Sequence, residues 1–123
     1  MPAHKDWLFK AETDLKSAQK LLSENLLDTA IYHTQQCAEK ALKAFLAFQK
    51  QEIQKAHDLE FLTKLCEQID GSFACLLNIA SNLKPYGIKF RYPDDVLIPA
   101  KKDVEIAIRQ AEKIYLFVIK KTN

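Results

Sequence analysis

The stretch that decides the fold is AIYHTQQCAEKALKAFLA, residues 30–47. Its apolar residues recur every three or four positions, which is the period of an amphipathic helix. One side of that helix is apolar and carries Ala30, Thr34, Cys37, Ala38, Ala41, Leu42, Phe45 and, just beyond the stretch, Phe48. Another side carries a row of four polar residues, His33, Gln36, Lys40 and Lys43. The apolar side predicts packing in a core, and the polar row offers donors, acceptors and positive charge to an anionic group.

The same period on both sides of this stretch predicts further helices. The first helix is expected over residues 5–24, with Asn25 as its stop signal, and the second over residues 27–51. Asp58 is expected to cap a third helix, and Ser72 to cap a fourth after the break at Asp70-Gly71-Ser72. The last helix is expected to follow Pro99, with this proline in its first turn.

Residues 84–99, KPYGIKFRYPDDVLIP, have no helical period and contain three prolines and one glycine. Loops of this length are uncommon in compact domains and are often functional. The predicted fold is therefore all-α: a single domain over residues 1–123, built as an up-and-down bundle of four or five helices with a long loop before the last one.

Composition narrows the class of protein. The net charge of +2 and the pI near 8.4 are not those of a protein that binds duplex nucleic acid by bulk electrostatics. Three cysteines, Cys37, Cys66 and Cys75, lack metal-ligand spacing and are expected to be buried apolar residues in a reducing compartment. The N-terminus lacks the apolar run of a secretory signal, and no stretch has about 18 consecutive apolar residues. We expect a cytoplasmic protein.

Several chemistries are absent from the sequence. It has no glycine-rich phosphate loop, no paired CxxC and no HExxH motif, and no Ser, His and Asp arrangement is legible from spacing. The three histidines, His4, His33 and His57, have no metal-ligand spacing among themselves. We therefore expect no metal and no cofactor, and assign no catalytic residue.

Asp14 is the most unusual single residue, because it lies inside the apolar stripe of the first helix between Ala11 and Ala18. A buried carboxylate needs a cationic or hydrogen-bonding partner. Lys40, Lys43 and Arg91 are the candidates for that partner. The alternative is a solvated position at the edge of the stripe.

The polar residues of the second helix and of the loop each have two interpretations. The row of His33, Gln36, Lys40 and Lys43 is either a ligand-binding face or a solvated helix face. In the loop, Arg91 supplies a planar fork suited to phosphate or carboxylate, and Tyr92 supplies a stacking face. Asp94 and Asp95 follow at once, and the alternative is that they hold Arg91 internally.

Taken together, these residues resemble the HEPN family of small helical domains. The resemblance covers nearly the whole chain and rests on the order and spacing of four pieces of sequence. They are Trp7 with Ala11-x-x-Asp14-Leu15, then Ala30-x-x-His33-x-x-Gln36-x-x-Glu39-Lys40-Ala41-Leu42-Lys43-Ala44, then Lys55-Ala56-His57-Asp58-Leu59, and finally Arg91-Tyr92-Pro93.

The resemblance implies a helical bundle that dimerises and is associated with nucleotides and RNA. Many members of the family are encoded beside a minimal nucleotidyltransferase and form a two-component system with it. Others are metal-independent ribonucleases, in which an Arg is followed about four to six residues later by a His that serves as general acid or base. This chain has only Arg91 and Arg109, and no histidine follows either, because the last histidine is His57.

The sequence therefore predicts a non-catalytic HEPN protein, a nucleotide-binding or accessory subunit of a minimal nucleotidyltransferase. The predicted ligand-binding residues are His33, Gln36, Lys40, Lys43, Arg91 and Tyr92, and the predicted structural polar cluster is Asp14, His57 and Asp58. The alternatives are a metal-independent endoribonuclease of a toxin–antitoxin system, using His33 or His57, and a purely structural interaction module. A homodimer is expected, with surplus apolar positions at Phe9, Ile31, Leu46 and Phe117.

Overall fold

The computed structural model describes residues 2–52, 55–93 and 97–123. In these residues the chain forms five α-helices and two short 3-10 turns, with no β-strand, which confirms the all-α prediction. The helices are α1 (Ala3–Ser23), α2 (Leu27–Phe48), α3 (Leu59–Ile69), α4 (Leu77–Leu83) and α5 (Lys101–Lys121), and the 3-10 turns are Gly71–Leu76 and Lys84–Gly87.

Helix α2 is the centre of the bundle, because it packs against α1, α3, α4, α5 and the Lys84–Gly87 turn. Its apolar side is buried as predicted, except for Phe48, which is partly exposed at the end of the helix. Ile31 and Leu46 were expected to be surplus apolar positions, and that expectation is wrong: both are buried in the core of the single chain. Because α2 has neighbouring helices on nearly every side, Ile31 and Leu46 are covered by the same chain and need no partner chain.

The other two positions assigned to a dimer interface differ from each other. Phe117 is partly buried and packs edge-to-face on Phe73, with their ring centroids 4.9 Å apart. Phe9 is 63% exposed on α1. Of the four predicted surplus positions, Phe9 is therefore the one that lies open on the surface.

The helix start at Asp58 is the predicted one. Its carboxylate accepts the backbone N–H groups of Glu60 at 2.9 Å and Phe61 at 3.2 Å. At the next break the prediction is wrong: Asp70 and not Ser72 caps the 3-10 turn Gly71–Leu76, and the fourth helix, α4, begins only at Leu77. Ser72 donates both its backbone N–H and its hydroxyl to Asp70, so its side chain is a donor to the cap and does not serve as one.

Helix ends follow local backbone chemistry. Asn25 adopts a left-handed φ of 59°, as its assignment to a stop position implies, and Lys50 does so at 58° shortly after α2 ends. The second helix therefore ends at Phe48, three residues before the predicted end. Pro99 is buried but lies outside α5, whose N-cap is Ala100.

Two further features bear on the sequence predictions. Cys37 and Cys66 are buried, but Cys75 is exposed, so the expectation of three buried thiols is wrong for Cys75. Asp94 and Asp95, considered as partners of Arg91, lie outside the described residues. No helix in the described part of the chain is long and apolar enough to cross a membrane.

Candidate functional site

A cavity of about 640 Å³ opens between α2 and the Lys84–Gly87 turn. Its walls come from α2, from the start of α3 and from the turn with the residues that follow it. The lining residues are Tyr32, Gln35, Gln36, His57, Asp58, Lys84, Pro85, Gly87, Ile88 and Arg91. The central helix and the long loop, which are far apart in sequence, therefore meet at one site.

The floor of the cavity is the side-chain amide of Gln35, which is only 2% exposed. Its nitrogen donates to Glu39 Oε1 and to the carbonyl of His57, each at 3.2 Å, and its oxygen accepts from Gln36 Nε2 at 2.8 Å. Gly87 lies directly on this amide, since a Cβ at Gly87 would be 3.1 Å from Gln35 Cδ. The absence of a side chain at Gly87 thus allows the turn to approach the floor this closely.

Arg91 stands at one edge of the cavity and is exposed. Its guanidinium carbon lies 4.5 Å from the ring centroid of Tyr32 and 5.8 Å from that of Tyr92, so it stacks between aromatic groups. Tyr32 and Arg91 also line a second cavity of about 290 Å³, which is completed by Asp28, Thr29, His33 and Phe90. Arg91 therefore forms a ridge between two cavities.

Lys84, the first residue of the Lys84–Gly87 turn, lines the larger cavity and pairs with residues at the start of α3. Its ammonium group lies 3.1 Å from Asp58 and 3.5 Å from Glu60, and all three side chains are partly exposed. The hydrogen bond that Lys84 donates to Asp58, together with the negative charge of that carboxylate, raises the pKa of Lys84. The turn is thus held by an ion pair that water can reach.

Two buried carboxylates on the bundle side of the site each hold one lysine and one histidine. The first group, which we call the Asp14 cluster, consists of Asp14, His33 and Lys40. Asp14 lies 2.8 Å from His33 Nδ1 and 2.6 Å from Lys40 Nζ. Burial acts to raise the pKa of Asp14, but the hydrogen bonds from His33 and Lys40 outweigh it and lower that pKa. Asp14 is therefore an anion that fixes the ring of His33.

The second group, which we call the Glu39 cluster, consists of Gln35, Glu39, Lys43 and His57. Glu39 Oε2 lies 3.1 Å from Lys43 Nζ and 3.0 Å from His57 Nδ1. Burial acts to raise the pKa of Glu39, but the hydrogen bonds from His57 and Lys43 outweigh it and lower that pKa. The ammonium group of Lys43 also lies 5.6 Å from the ring centroid of Trp7, which covers it from α1.

The predicted ligand-binding residues do not form one face. Gln36 and Arg91 line the larger cavity together, and His33 lines the smaller one with Arg91. Tyr92 is exposed beside Arg91. Lys40 and Lys43 line neither cavity, because their ammonium groups are bound to Asp14 and Glu39.

The predicted structural cluster of Asp14, His57 and Asp58 is not one cluster either. Within the described residues, Asp14 pairs with His33 and Lys40, whereas His57 contacts Glu39. Asp58 caps α3 and pairs with Lys84. His57 and Asp58 both line the larger cavity, so they belong to the candidate site and not to a structural cluster with Asp14.

Sequence reasoning missed six of the residues that line the larger cavity, namely Tyr32, Gln35, Lys84, Pro85, Gly87 and Ile88. A signal for some of them was present, because Tyr32, Gln35 and Gln36 are spaced by three and four positions on α2 and share a face. The described residues contain no group of three His, Cys, Asp or Glu side chains that could hold a metal ion. The side chains that line the larger cavity include the amides of Gln35 and Gln36, the cations of Lys84 and Arg91, and the carboxylate of Asp58.

Comparison with known proteins gives a consistent picture. The family model described as the HEPN domain matches residues 4–122. The crystal structure of TT1696 from Thermus thermophilus superposes with a TM-score of 0.84 at 30% identity, over 98% of this chain and 99% of that one. The crystal structure of ST0689, described as an archaeal HEPN homologue, superposes with a TM-score of 0.78 at 29% identity over the whole of both chains.

One curated protein is similar over a shorter stretch. It is the Methanocaldococcus jannaschii protein named "Putative toxin MJ1304", which is 51% identical to this chain over 37 residues. That stretch is 30% of this chain and 24% of the relative, so the chain spans about a quarter of the length of the curated protein it matches.

Proposed function

We propose that this chain, which belongs to the HEPN family, is a non-catalytic nucleotide-binding protein that acts as an accessory subunit of a minimal nucleotidyltransferase. The observation that carries the proposal is the cavity of about 640 Å³ between α2 and the Lys84–Gly87 turn, with Arg91 at its edge. Its volume falls within the range of roughly 300–1,000 Å³ that is usual for small-ligand sites.

The lining of this cavity suits the parts of a nucleotide. Pro85 and Ile88 supply apolar surface for a base, while the amide of Gln36 supplies polar selectivity. The guanidinium of Arg91 presents a planar fork that matches a phosphate group. Because Tyr32 already stacks under this guanidinium, the fork is held in place before a ligand arrives.

Calorimetric titration with adenosine monophosphate tests the proposal. We expect measurable binding by the parent chain and a loss of at least tenfold in affinity for Arg91→Ala. The matched control is Arg109→Ala, which removes the only other arginine, exposed on α5 and outside both cavities. Absence of binding at millimolar nucleotide, or equal losses in both variants, would contradict a nucleotide site at Arg91.

The nucleotidyltransferase partner is supported by the family resemblance alone. It predicts that a minimal nucleotidyltransferase encoded beside this chain co-purifies with it when the two are co-expressed. An unrelated nucleotidyltransferase of similar size is the control. If this chain retains both nucleotidyltransferases, or neither of them, the partner is removed from the proposal. The proposed nucleotide site is not affected by either outcome.

A homodimer is also part of the proposal. Exposed apolar side chains cluster in the sequence after the Lys84–Gly87 turn, at Ile88, Tyr92, Leu97 and Ile98. Patches of this kind are typical of interfaces. Sedimentation equilibrium at micromolar concentration is expected to give twice the chain mass of 14.1 kDa, and a mass equal to 14.1 kDa would contradict the dimer.

A second candidate function, metal-independent RNA cleavage, is favoured by one observation. His33 has its Nδ1 on Asp14, which leaves Nε2 as the ring nitrogen available for proton transfer, and it lines the smaller cavity with Arg91. The name of the curated relative points in the same direction. This function is weaker because the Arg-then-His spacing of the family's ribonucleases is absent.

A further inference from the structure

The two cavities are adjacent halves of one groove. Tyr32 and Arg91 line both of them, so the stacked pair forms the ridge that divides a space of about 640 Å³ from one of about 290 Å³. The larger space alone is within the range of roughly 300–1,000 Å³ that is usual for small-ligand sites, so a mononucleotide needs only one of the two spaces. The smaller space is at the lower limit of volumes that hold small ligands, roughly 300 Å³.

The charged side chains favour an anion at Arg91, between the two cavities, over an anion deep in either cavity. In the larger cavity, Lys84 is already paired with Asp58 and Glu60. In the smaller cavity, Arg91 is the only Lys or Arg among the described lining residues, and Asp28 adds a carboxylate. A ligand with a chain of phosphates would bring negative charge close to Asp58 or Asp28. A single phosphate at Arg91, flanked by neutral groups, avoids this repulsion.

The smaller cavity is equipped for a neutral sugar and base. Phe90 supplies an aromatic face, and Thr29 and Asp28 supply a hydroxyl and an acceptor. His33 offers its Nε2, because Asp14 holds its Nδ1. Groups of these kinds suit a nucleoside. Apart from Arg91, no Lys or Arg among the described residues that line this cavity could bind a second phosphate.

We propose that the two cavities together bind a phosphodiester-linked dinucleotide, with the linking phosphate at Arg91 and one nucleoside in each cavity. The proposal rests on the proposed nucleotide-binding function and specifies its ligand. Joining two units makes the second contact intramolecular, so the linked ligand binds more tightly than either unit alone.

The test is a titration series with adenosine monophosphate, adenosine triphosphate, the dinucleoside monophosphate ApA and the corresponding tetranucleotide. We expect ApA, whose one phosphate is the linking phosphate, to bind at least tenfold more tightly than the monophosphate, and the triphosphate to gain nothing over the monophosphate. The tetranucleotide is expected to match ApA within about threefold. Equal affinities for ApA and the monophosphate would overturn the proposal, as would a tenfold gain from ApA to the tetranucleotide, which would indicate a longer strand.

A blocking variant locates the second nucleoside. Thr29 is exposed and lines only the smaller of the two cavities, so Thr29→Trp fills that cavity without touching the larger one. We expect it to reduce ApA affinity to that of the monophosphate and to leave monophosphate affinity unchanged. Ser81→Trp is the matched control, on an exposed position of α4 that lines neither cavity, and should change neither affinity.

If Thr29→Trp lowers the melting temperature of the protein, Asp28→Trp replaces it, because Asp28 lines the same smaller cavity. Equal weakening of both ligands by these variants, or of neither, would overturn the second subsite while nucleotide binding stands. If neither the monophosphate nor ApA binds to the parent chain, the proposed function itself fails.

Discussion

The Asp14 cluster and the Glu39 cluster contain the same three kinds of group, yet their exposure differs. Each has one buried carboxylate, one lysine and one histidine bound through Nδ1. In the Glu39 cluster the side chains of Glu39 and Lys43 are both 5% exposed and Trp7 covers the lysine, whereas the histidine, His57, is 77% exposed. In the Asp14 cluster the side chains of His33 and Lys40 are 26% and 24% exposed.

The histidine of each cluster lines a cavity, so the difference lies in the lysines: Lys43 is closed to water, whereas Lys40 is partly open to it. Removing one member of a closed pair leaves a charge that water cannot reach, and the cost is high. In an open pair the remaining charge turns toward water, and the cost is lower.

Replacing Glu39 should have the largest effect. Glu39→Ala leaves the ammonium group of Lys43 buried without its carboxylate, so we expect a loss of about 3–5 kcal/mol in the free energy of unfolding. Urea denaturation measures this loss. The matched control is Glu24→Ala, whose pair with Lys20 is exposed and should contribute only about 0.5 kcal/mol. Similar losses in both variants would mean that the Glu39 cluster is not closed to water.

Replacing Asp14 should have a smaller effect. Asp14→Ala frees Lys40 and His33, which are partly exposed, so the loss is expected at or below the lower end of that range, about 2–3 kcal/mol. The same urea titration gives the value. A loss as large as that of Glu39→Ala would remove the distinction between the two clusters, and a loss near 0.5 kcal/mol would mean that Asp14 is effectively solvated.

Acid should reduce the contribution of both clusters. The folded-state pKa values of Asp14 and Glu39 are lowered, so the unfolded chain binds protons more readily than the folded one at these positions. Their stabilisation is therefore present above the ordinary carboxyl pKa of about 3.9–4.3 and is lost as pH falls through the lowered folded-state values.

Thermal melts between pH 7 and pH 2.5 provide the measurement. The difference in melting temperature between the parent and Glu39→Ala should be widest near neutral pH and narrow below about pH 4. A difference that stays constant across this range would show that the carboxyl charge is not what stabilises the fold.

Incubation with RNA should have the smallest effect, namely none. Cleavage without a metal needs a group that exchanges a proton near neutral pH, and the loop that carries Arg91 has no histidine. We expect the parent chain to leave single-stranded RNA intact in the presence of a chelator. The double variant His33→Ala, His57→Ala is the control. Cleavage by the parent that disappears in the variant would favour the endoribonuclease, and the single variants would show which cluster supplies the histidine.

The fold follows from the sequence wherever one local signal decides the structure. The apolar period of residues 30–47 predicted α2, and Asp58 predicted the start of α3. At Asp70-Gly71-Ser72 either the Asp or the Ser side chain could serve as an N-cap. The sequence alone did not show that Asp70 caps the 3-10 turn and that Ser72 donates to it. Ile31 and Leu46 failed as interface residues because periodicity marks apolar faces without showing how many neighbours a helix has.

The candidate site was less predictable, because it depends on which partner each side chain finds in space. Lys40 and Lys43 share a helix face in the sequence pattern. In the fold, Lys40 reaches back to Asp14 on α1, whereas Lys43 pairs one turn away with Glu39 on its own helix. The meeting of Gln36 with Arg91 at one cavity was expected from the family resemblance, but the ridge formed by Tyr32 and Arg91 has no counterpart in local sequence.

The contact between Gly87 and the Gln35 amide makes one side chain serve two regions of the molecule. The same amide is the floor of the larger cavity and a hydrogen-bond donor to Glu39 in the core. A Cβ at position 87 would lie 3.1 Å from Gln35 Cδ, so the amide would have to shift by a few tenths of an ångström, and this shift would act on its hydrogen bond to Glu39. The shape of the cavity and the stability of the bundle cannot be varied independently at this point, so efforts to re-engineer ligand preference should leave Gly87 and Gln35 in place and begin at Gln36 or Ile88.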